Sequence, residues 1–179
     1  MDLGPDHWIL LRHGEKPDAA RGIAGVDERG SRDPLSLSVR GWQRAGALAT
    51  LLATGARAEE GLATPRTLMA AVDPGRSSRP RLTVQVIAGA LGLPVDTRFG
   101  SEGDPAALLR AAADFRGPVL VSWRHLGLPV LARAIAGEGV APAAWPDDCY
   151  DRVWVLRREG KYWRCDNLPL RLLAGDAAE

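Results

Sequence analysis

The sequence predicts an α/β protein: a three-layer α/β/α sandwich around a mostly parallel central sheet. Three observations lead there. Short apolar runs alternate with stretches of helical periodicity along the chain. The strand candidates are apolar throughout rather than alternating, as strands covered on both faces are. No repeat, low-complexity tract or linker divides the 179 residues, so 1–179 reads as a single domain. The composition agrees, since 46 % hydrophobic and 25 % charged residues are ordinary for a globular chain.

The elements follow in order. Residues 8–12, WILLR, read as a buried strand. Ser38 is a plausible N-cap for a helix reaching Ala53, with Ala45, Leu48, Leu51 and Leu52 on one face. Residues 67–73, TLMAAVD, are strand-like and run into a Pro-Gly turn. A helix over 80–91 accepts Pro80 in its first turn and stops at Gly92, before a short strand at 94–97. A helix over 105–115 begins at Pro105 behind the cap Asp104. Residues 117–123, GPVLVSW, form the clearest strand, and a helix over 127–136 follows. Residues 151–167 alternate around Arg-Glu-Gly-Lys and read as a hairpin. The closing AGDAAE is expected to fray.

Bulk properties narrow the function classes. The 23 basic residues balance 22 acidic ones, giving a net charge of +1. Affinity for nucleic acid rests on phosphate neutralisation by a basic face or arm, which this chain lacks, so no nucleic-acid partner is expected. Cys149 and Cys165 form no CxxC and read as free structural thiols of a reducing compartment. The N-terminus shows no basic region followed by an apolar core, and no run approaches the ~18 apolar residues of a membrane span. The expected location is cytoplasmic, with no membrane partner.

Ligands of such sheets bind beyond the carboxyl ends of the strands. The chain has three histidines, and two of them, His13 and His125, end buried strands, each directly after an arginine. One such histidine is ordinarily a polar residue satisfied by a local carbonyl. Two in equivalent positions point to chemistry. Arginine offers a rigid fork for phosphate oxygens. A neutral imidazole can attack phosphorus to give a covalent intermediate. Gly14 lets the backbone turn so that its N–H approaches an oxyanion. No carboxylate or third histidine stands at ligand spacing, so no metal or other cofactor is expected.

RHGE after an apolar strand, at residues 12–15, resembles the signature of the histidine phosphatase (phosphoglycerate-mutase-like) superfamily. The likeness continues through Leu37-Ser38-Val39-Arg40-Gly41-Trp42-Gln43, through Ser78-Arg79-Pro80-Arg81-Leu82-Thr83 into Ala90-Leu91-Gly92-Leu93, and through Val119 to His125. Its Trp123-Arg124-His125 form, with Trp145-Pro146-Asp147-Asp148 and Tyr150-Asp151 downstream, is similar to a short Trp-x-His branch.

The resemblance implies a phosphoglycerate-mutase-like sandwich and a set of roles. His13 would be the phosphorylated nucleophile, and Arg12, Arg79 and His125 would surround the phosphoryl group and neutralise its equatorial oxygens. The Thr83 register favours Arg79 over Arg81, and Arg76 and Arg81 read as solvated. Family members usually place a glutamate between the second arginine and the second histidine to protonate the leaving oxygen. Glu102 is the candidate here, Asp104 the runner-up that also reads as a helix cap, and Glu15 a third possibility that could equally orient Arg12. The acid-phosphatase branch has aspartate after the second histidine; Leu126 stands there instead.

The implied activity is metal-independent hydrolysis of a phosphomonoester through phospho-His13. Alternatives are a phosphate- or phosphoprotein-binding module without turnover, a phosphomutase and a metal-dependent hydrolase. The chain has no insertion of the kind that encloses a bisphosphorylated intermediate, which favours hydrolysis over mutase chemistry. Residues 15–34 form a long polar loop, either a solvated surface or a rim that selects substrate. Trp145 and Tyr150 could line the pocket, with core packing the plainer expectation, and Trp42, Trp154 and Trp163 are assigned to packing.

Overall fold

Trp8 to Arg12 are buried without a break, because helices cover both faces of the strand they form. In the computed structural model, which describes residues 4–176, the strands are β1 (His7–Arg12), β2 (Gly25–Val26), β3 (Leu37–Ser38), β4 (Thr67–Ala70), β5 (Val95–Asp96), β6 (Val119–Trp123), β7 (Arg152–Glu159) and β8 (Tyr162–Pro169). The helices are α1 (Val39–Thr54), α2 (Arg79–Leu91), α3 (Pro105–Ala112) and α4 (Leu128–Ala136). Six strands make one sheet in the order β5-β4-β6-β1-β7-β8. β5, β4, β6 and β1 run parallel, and the β7–β8 hairpin adds antiparallel to β1.

Alternate residues of each strand feed opposite layers. Ile9, Leu11, Leu68 and Leu120 pack with Leu48 and Leu52 of α1 and Val84 and Ile87 of α2. Trp8, Leu10, Val119 and Val121 pack with Leu108 of α3 and Leu128 and Leu131 of α4. The result is the α/β/α sandwich expected from the sequence.

The helix signals act as read. The Ser38 side chain accepts from the Gly41 N–H at 3.1 Å. Asp104 accepts from the Ala106 N–H at 2.9 Å. Gly92, at φ 66°, ends α2 in the left-handed conformation.

Several boundaries move. The strand expected over 67–73 stops at Ala70 because the chain then bends: the Val72 N–H bonds to the Phe99 carbonyl. The helix expected over 105–115 ends at Ala112, and the strand expected from 117 begins at Val119. The hairpin extends to Pro169, turning at Gly160 and Lys161.

One expectation is corrected more fundamentally, at the end of the chain, while the 15–34 segment is a surface segment ordered by its own polar groups. Asp18 caps a short 3-10 turn at Ala19–Arg21, Asp27 accepts from the Arg29 and Ser31 N–H groups, and β2 pairs with β3. The end of the chain does not fray as far inward as Asp176, whose side chain is 3 % exposed and ion-paired. Residues 177–179 lie outside the described part.

Candidate active site

Strand register assembles the site. β1 pairs with β6 so that Arg12 lies opposite Trp123, and the His13 N–H donates to the Trp123 carbonyl at 3.3 Å. His13 and the Arg124-His125 pair therefore leave the same sheet edge side by side.

His13 is 5 % exposed, with Nδ1 2.7 Å from the Gly14 carbonyl oxygen. A carbonyl only accepts, so Nδ1 carries the hydrogen and Nε2 keeps its lone pair. Burial, with the positive charges of Arg12, Arg79 and His125 acting in the same direction, lowers the His13 pKa to about 3 against the Gly14 bond. The ring is neutral across the physiological range.

Arg12 is held by the 146–150 segment. Its Nη1 donates to the Asp147 carbonyl and, at 3.2 Å, to the Cys149 carbonyl. Its Nη2 reaches the Tyr150 hydroxyl at 3.1 Å, and the guanidinium carbon lies 3.8 Å from the centre of the Tyr150 ring. Tyr150 thus packs against Arg12 rather than into the core, whereas Trp145 is core, 4.8 Å from Trp154. The buried Nε of Arg12 has no acceptor.

Arg79 opens α2, and its Nη1 donates to the Pro34 carbonyl at 3.1 Å. Its Nε is likewise buried without an acceptor. Partial burial lowers its pKa, and neighbouring Arg124 and Arg12 act in the same direction. One turn on, the Thr83 hydroxyl donates to the Arg79 carbonyl and accepts from the Gly14 N–H, both at 2.9 Å.

The second bond corrects the reading of Gly14. Its N–H is used by Thr83 and is not offered to an oxyanion. Its lack of a side chain serves packing, since a Cβ there would meet the Gly41 carbonyl oxygen at 2.7 Å.

His125 is 18 % exposed, with Nε2 3.1 Å from Asp147 Oδ1, which also lies 3.7 Å from Arg12 Nη2. Partial burial and then Arg12 lower the His125 pKa, while Asp147 raises it. Asp147 is the residue that sequence reasoning missed. Its place in the Trp145–Asp148 motif was visible, but its reach to His125 depends on how the 137–151 segment folds back.

The three acid candidates separate. Glu102 accepts from Arg76 at 2.7 Å and from Arg124 at 3.3 Å, which puts it at the rim. Asp104 caps α3 and lies 3.6 Å from Arg110. Glu15 does not orient Arg12: it bonds Arg44 at 2.8 Å and Arg40 at 3.1 Å. Arg44 also holds Asp176 at 2.6 Å. Bonds from Arg44 and from the Leu172 and Leu173 N–H groups outweigh burial and bring the Asp176 carboxyl down to about 2.

Arg12, His13, Arg79 and His125 converge, with Arg124 beside them. The charges of Arg12, Arg79 and His125 act on His13, and those of Arg124 and Arg12 on Arg79, so the cations form one cluster of a kind suited to an anion. Asp147 pairs with Arg12 and His125, and Glu102 with Arg124. Lys16, Asp18, Arg21 and Ile23 of the 15–34 segment line a cleft of about 870 Å³ together with Asp147 and Tyr150, so this segment borders the site. Among the described residues no three of His, Cys, Asp and Glu come together as a metal site would require. Both cysteines are free, and burial raises the Cys165 thiol to about 11.

The mostly parallel sheet and the two helical layers are an architecture that solved structures share. Three solved structures show this likeness in fold. SixA of Agrobacterium tumefaciens, proposed to be a phosphohistidine phosphatase, is 20 % identical, with a TM-score of 0.55 over 91 % of this chain and 97 % of that one. A proposed α-ribazole-5′-P phosphatase of Escherichia coli is 15 % identical, with a TM-score of 0.57 over 91 % and 96 % of the two chains. The α-ribazole phosphatase of Shigella flexneri is 15 % identical, with a TM-score of 0.53 over 97 % and 98 %. No family model matches the sequence, and no curated protein does.

Proposed function

We propose that this protein is a metal-independent phosphatase that hydrolyses a phosphomonoester through a phosphohistidine on His13. One observation carries the reading: a buried, neutral imidazole whose Nδ1 is committed to the Gly14 carbonyl lies within the field of Arg12, Arg79 and His125. That leaves Nε2 as a nucleophile facing cations suited to a phosphoryl group.

In the proposed reaction the Nε2 lone pair attacks phosphorus, and the bond from phosphorus to the leaving oxygen breaks. Arg12 and Arg79, each with a buried Nε lacking an acceptor, take equatorial oxygens together with His125 and Arg124. The leaving oxygen takes a proton from a rim carboxyl. Glu102 is the proposed donor, its carboxyl held 3.3 Å from Arg124. Its contact with His125 makes Asp147 the second candidate. Water then attacks phosphorus of the phosphohistidine, returning a proton to the carboxylate that gave one up; the P–N bond breaks, and phosphate leaves as Nε2 regains its lone pair.

The test is hydrolysis of an aryl phosphate by wild type and His13→Ala, each with and without EDTA. The expected result is EDTA-insensitive turnover that His13→Ala abolishes. Retained activity in the variant would remove the phosphohistidine step. Inactivity of wild type toward a broad phosphoester panel would favour a phosphate-binding module.

A further inference from the structure

On the far side of Arg124 and Glu102 lies a cavity of about 370 Å³ whose apolar walls the phosphoryl chemistry does not use. Phe99 and Leu108 wall it from the β5–α3 side, and Trp123, Leu126, Val130 and Leu131 from the β6–α4 side. Its volume falls in the range of small-molecule sites, roughly 300–1,000 Å³.

Trp123 joins the two compartments. Its carbonyl accepts the His13 N–H at 3.3 Å, while its indole N–H donates to the Ser101 carbonyl at 3.1 Å. With that N–H satisfied, the ring presents an apolar surface next to the nucleophile's strand. Gly127 permits the close packing of the turn on this ring, since a Cβ there would lie 2.7 Å from Trp123 Cδ1.

The rim is apolar where core packing does not demand it. Leu126 is 69 % exposed and Val130 47 %. The charged groups at the edge are matched among themselves, Glu102 with Arg76 and Arg124, and Asp104 with Arg110. A leaving group of sugars or further phosphates would find few partners here. An apolar ring would find surface on several sides.

We infer that this cavity is a leaving-group subsite, and that the substrate is a phosphomonoester whose alcohol carries a bulky aromatic or otherwise apolar body. The inference rests on the phosphatase reading above and narrows its substrate class. The ester oxygen sits at the Arg124 boundary, with the phosphoryl group toward His13 and the apolar body against Trp123.

The experiment compares kcat/KM for phenyl, 2-naphthyl and 4-biphenylyl phosphates, whose leaving groups are of similar acidity. Wild type is compared with Leu126→Asp and Val130→Asp, exposed positions where a polar residue leaves the fold intact. The expected outcome is a rise of about tenfold from phenyl to biphenylyl in wild type, on the order of the burial of two methylenes. That ratio falls toward one in both variants. A flat wild-type series, or a ratio unchanged by both substitutions, overturns the subsite.

Saturable binding of 2-naphthol, followed by ligand-observed NMR, separates this inference from the reading beneath it. Binding lost in Val130→Asp, with no hydrolysis of any ester, strikes the phosphatase reading and leaves the apolar pocket supported. Absence of saturable binding in wild type counts against the pocket whatever the hydrolysis shows.

Discussion

Glu15 Oε1 lies 2.8 Å from Nη2 of Arg44, a side chain only 2 % exposed. The residue directly after Arg12-His13-Gly14 is thereby fastened to α1, and through Arg44 to Asp176 near the end of the chain. Removing one member of such a cluster leaves a charge buried without its partner, which costs about 3–5 kcal/mol. Arg44→Met is expected to lower unfolding free energy by about 3 kcal/mol in urea titrations. Glu15→Gln should change the hydrolysis of aryl and alkyl phosphates by the same factor, as a positioning residue would. A loss confined to alkyl esters would instead make Glu15 a proton donor.

His13 predicts a pH dependence of stability. Its folded pKa, about 3, lies below the ordinary 6.5, so between those values the unfolded chain binds a proton that the folded chain does not. Stability therefore rises with pH through this window and is lost on acidification, by up to about 1.4 kcal/mol per pH unit from this group. His7 and His125, also lowered, act in the same direction. Urea unfolding at pH 7.5 and pH 5 should show a smaller acid penalty in His13→Asn than in wild type. Equal penalties would contradict a depressed His13.

Asp147 sets a carboxylate against two of the groups proposed to receive the phosphoryl oxygens. A bound phosphate must displace it or share the space with like charge. Asp147→Ala is expected to tighten inhibition by orthovanadate about tenfold, or about 1.4 kcal/mol. Weaker inhibition would show that Asp147 supports anion binding.

The proton donor is settled by leaving-group dependence. Aryl oxides leave with little help, whereas alkoxides need a proton. Glu102→Gln should slow alkyl phosphates by about 10²–10⁴-fold and aryl phosphates far less. The same pattern in Asp147→Asn, with Glu102→Gln nearly neutral, would transfer the role.

Thr83 links α2 to the loop after β1. Thr83→Val keeps the shape but leaves the buried Gly14 N–H without an acceptor, at a cost of about 1–3 kcal/mol. Calorimetry should show a lower Tm, and kcat should fall because His13 loses an anchor one residue away.

Local sequence information reached the regular elements because caps and apolar runs act over a few residues. Ser38, Asp104 and Gly92 bound their helices as their chemistry requires. The two-residue strands β2 and β3 have no periodicity to read, and Trp42 binds the Val26 carbonyl from outside that ribbon at 2.8 Å. Asp176 looked like part of a fraying tail because its partner Arg44 is 132 positions away. Gly14 looked like an oxyanion donor because its neighbour Gly41 and its acceptor Thr83 lie on two other elements.

By itself the sequence determined the α/β class, the buried strands and the placing of Arg12, His13, Arg79 and His125 at element ends. These follow from residue type and local spacing. Only the tertiary structure decided what each polar group touches: Glu15 turned to Arg44, Asp147 brought to His125, Glu102 shared by Arg76 and Arg124, and Trp123 set between His13 and an apolar cavity. The physical reason is that hydrogen bonds and ion pairs act over a few ångströms, while the residues that make them lie tens of positions apart. Which partners meet is fixed by strand order and helix packing.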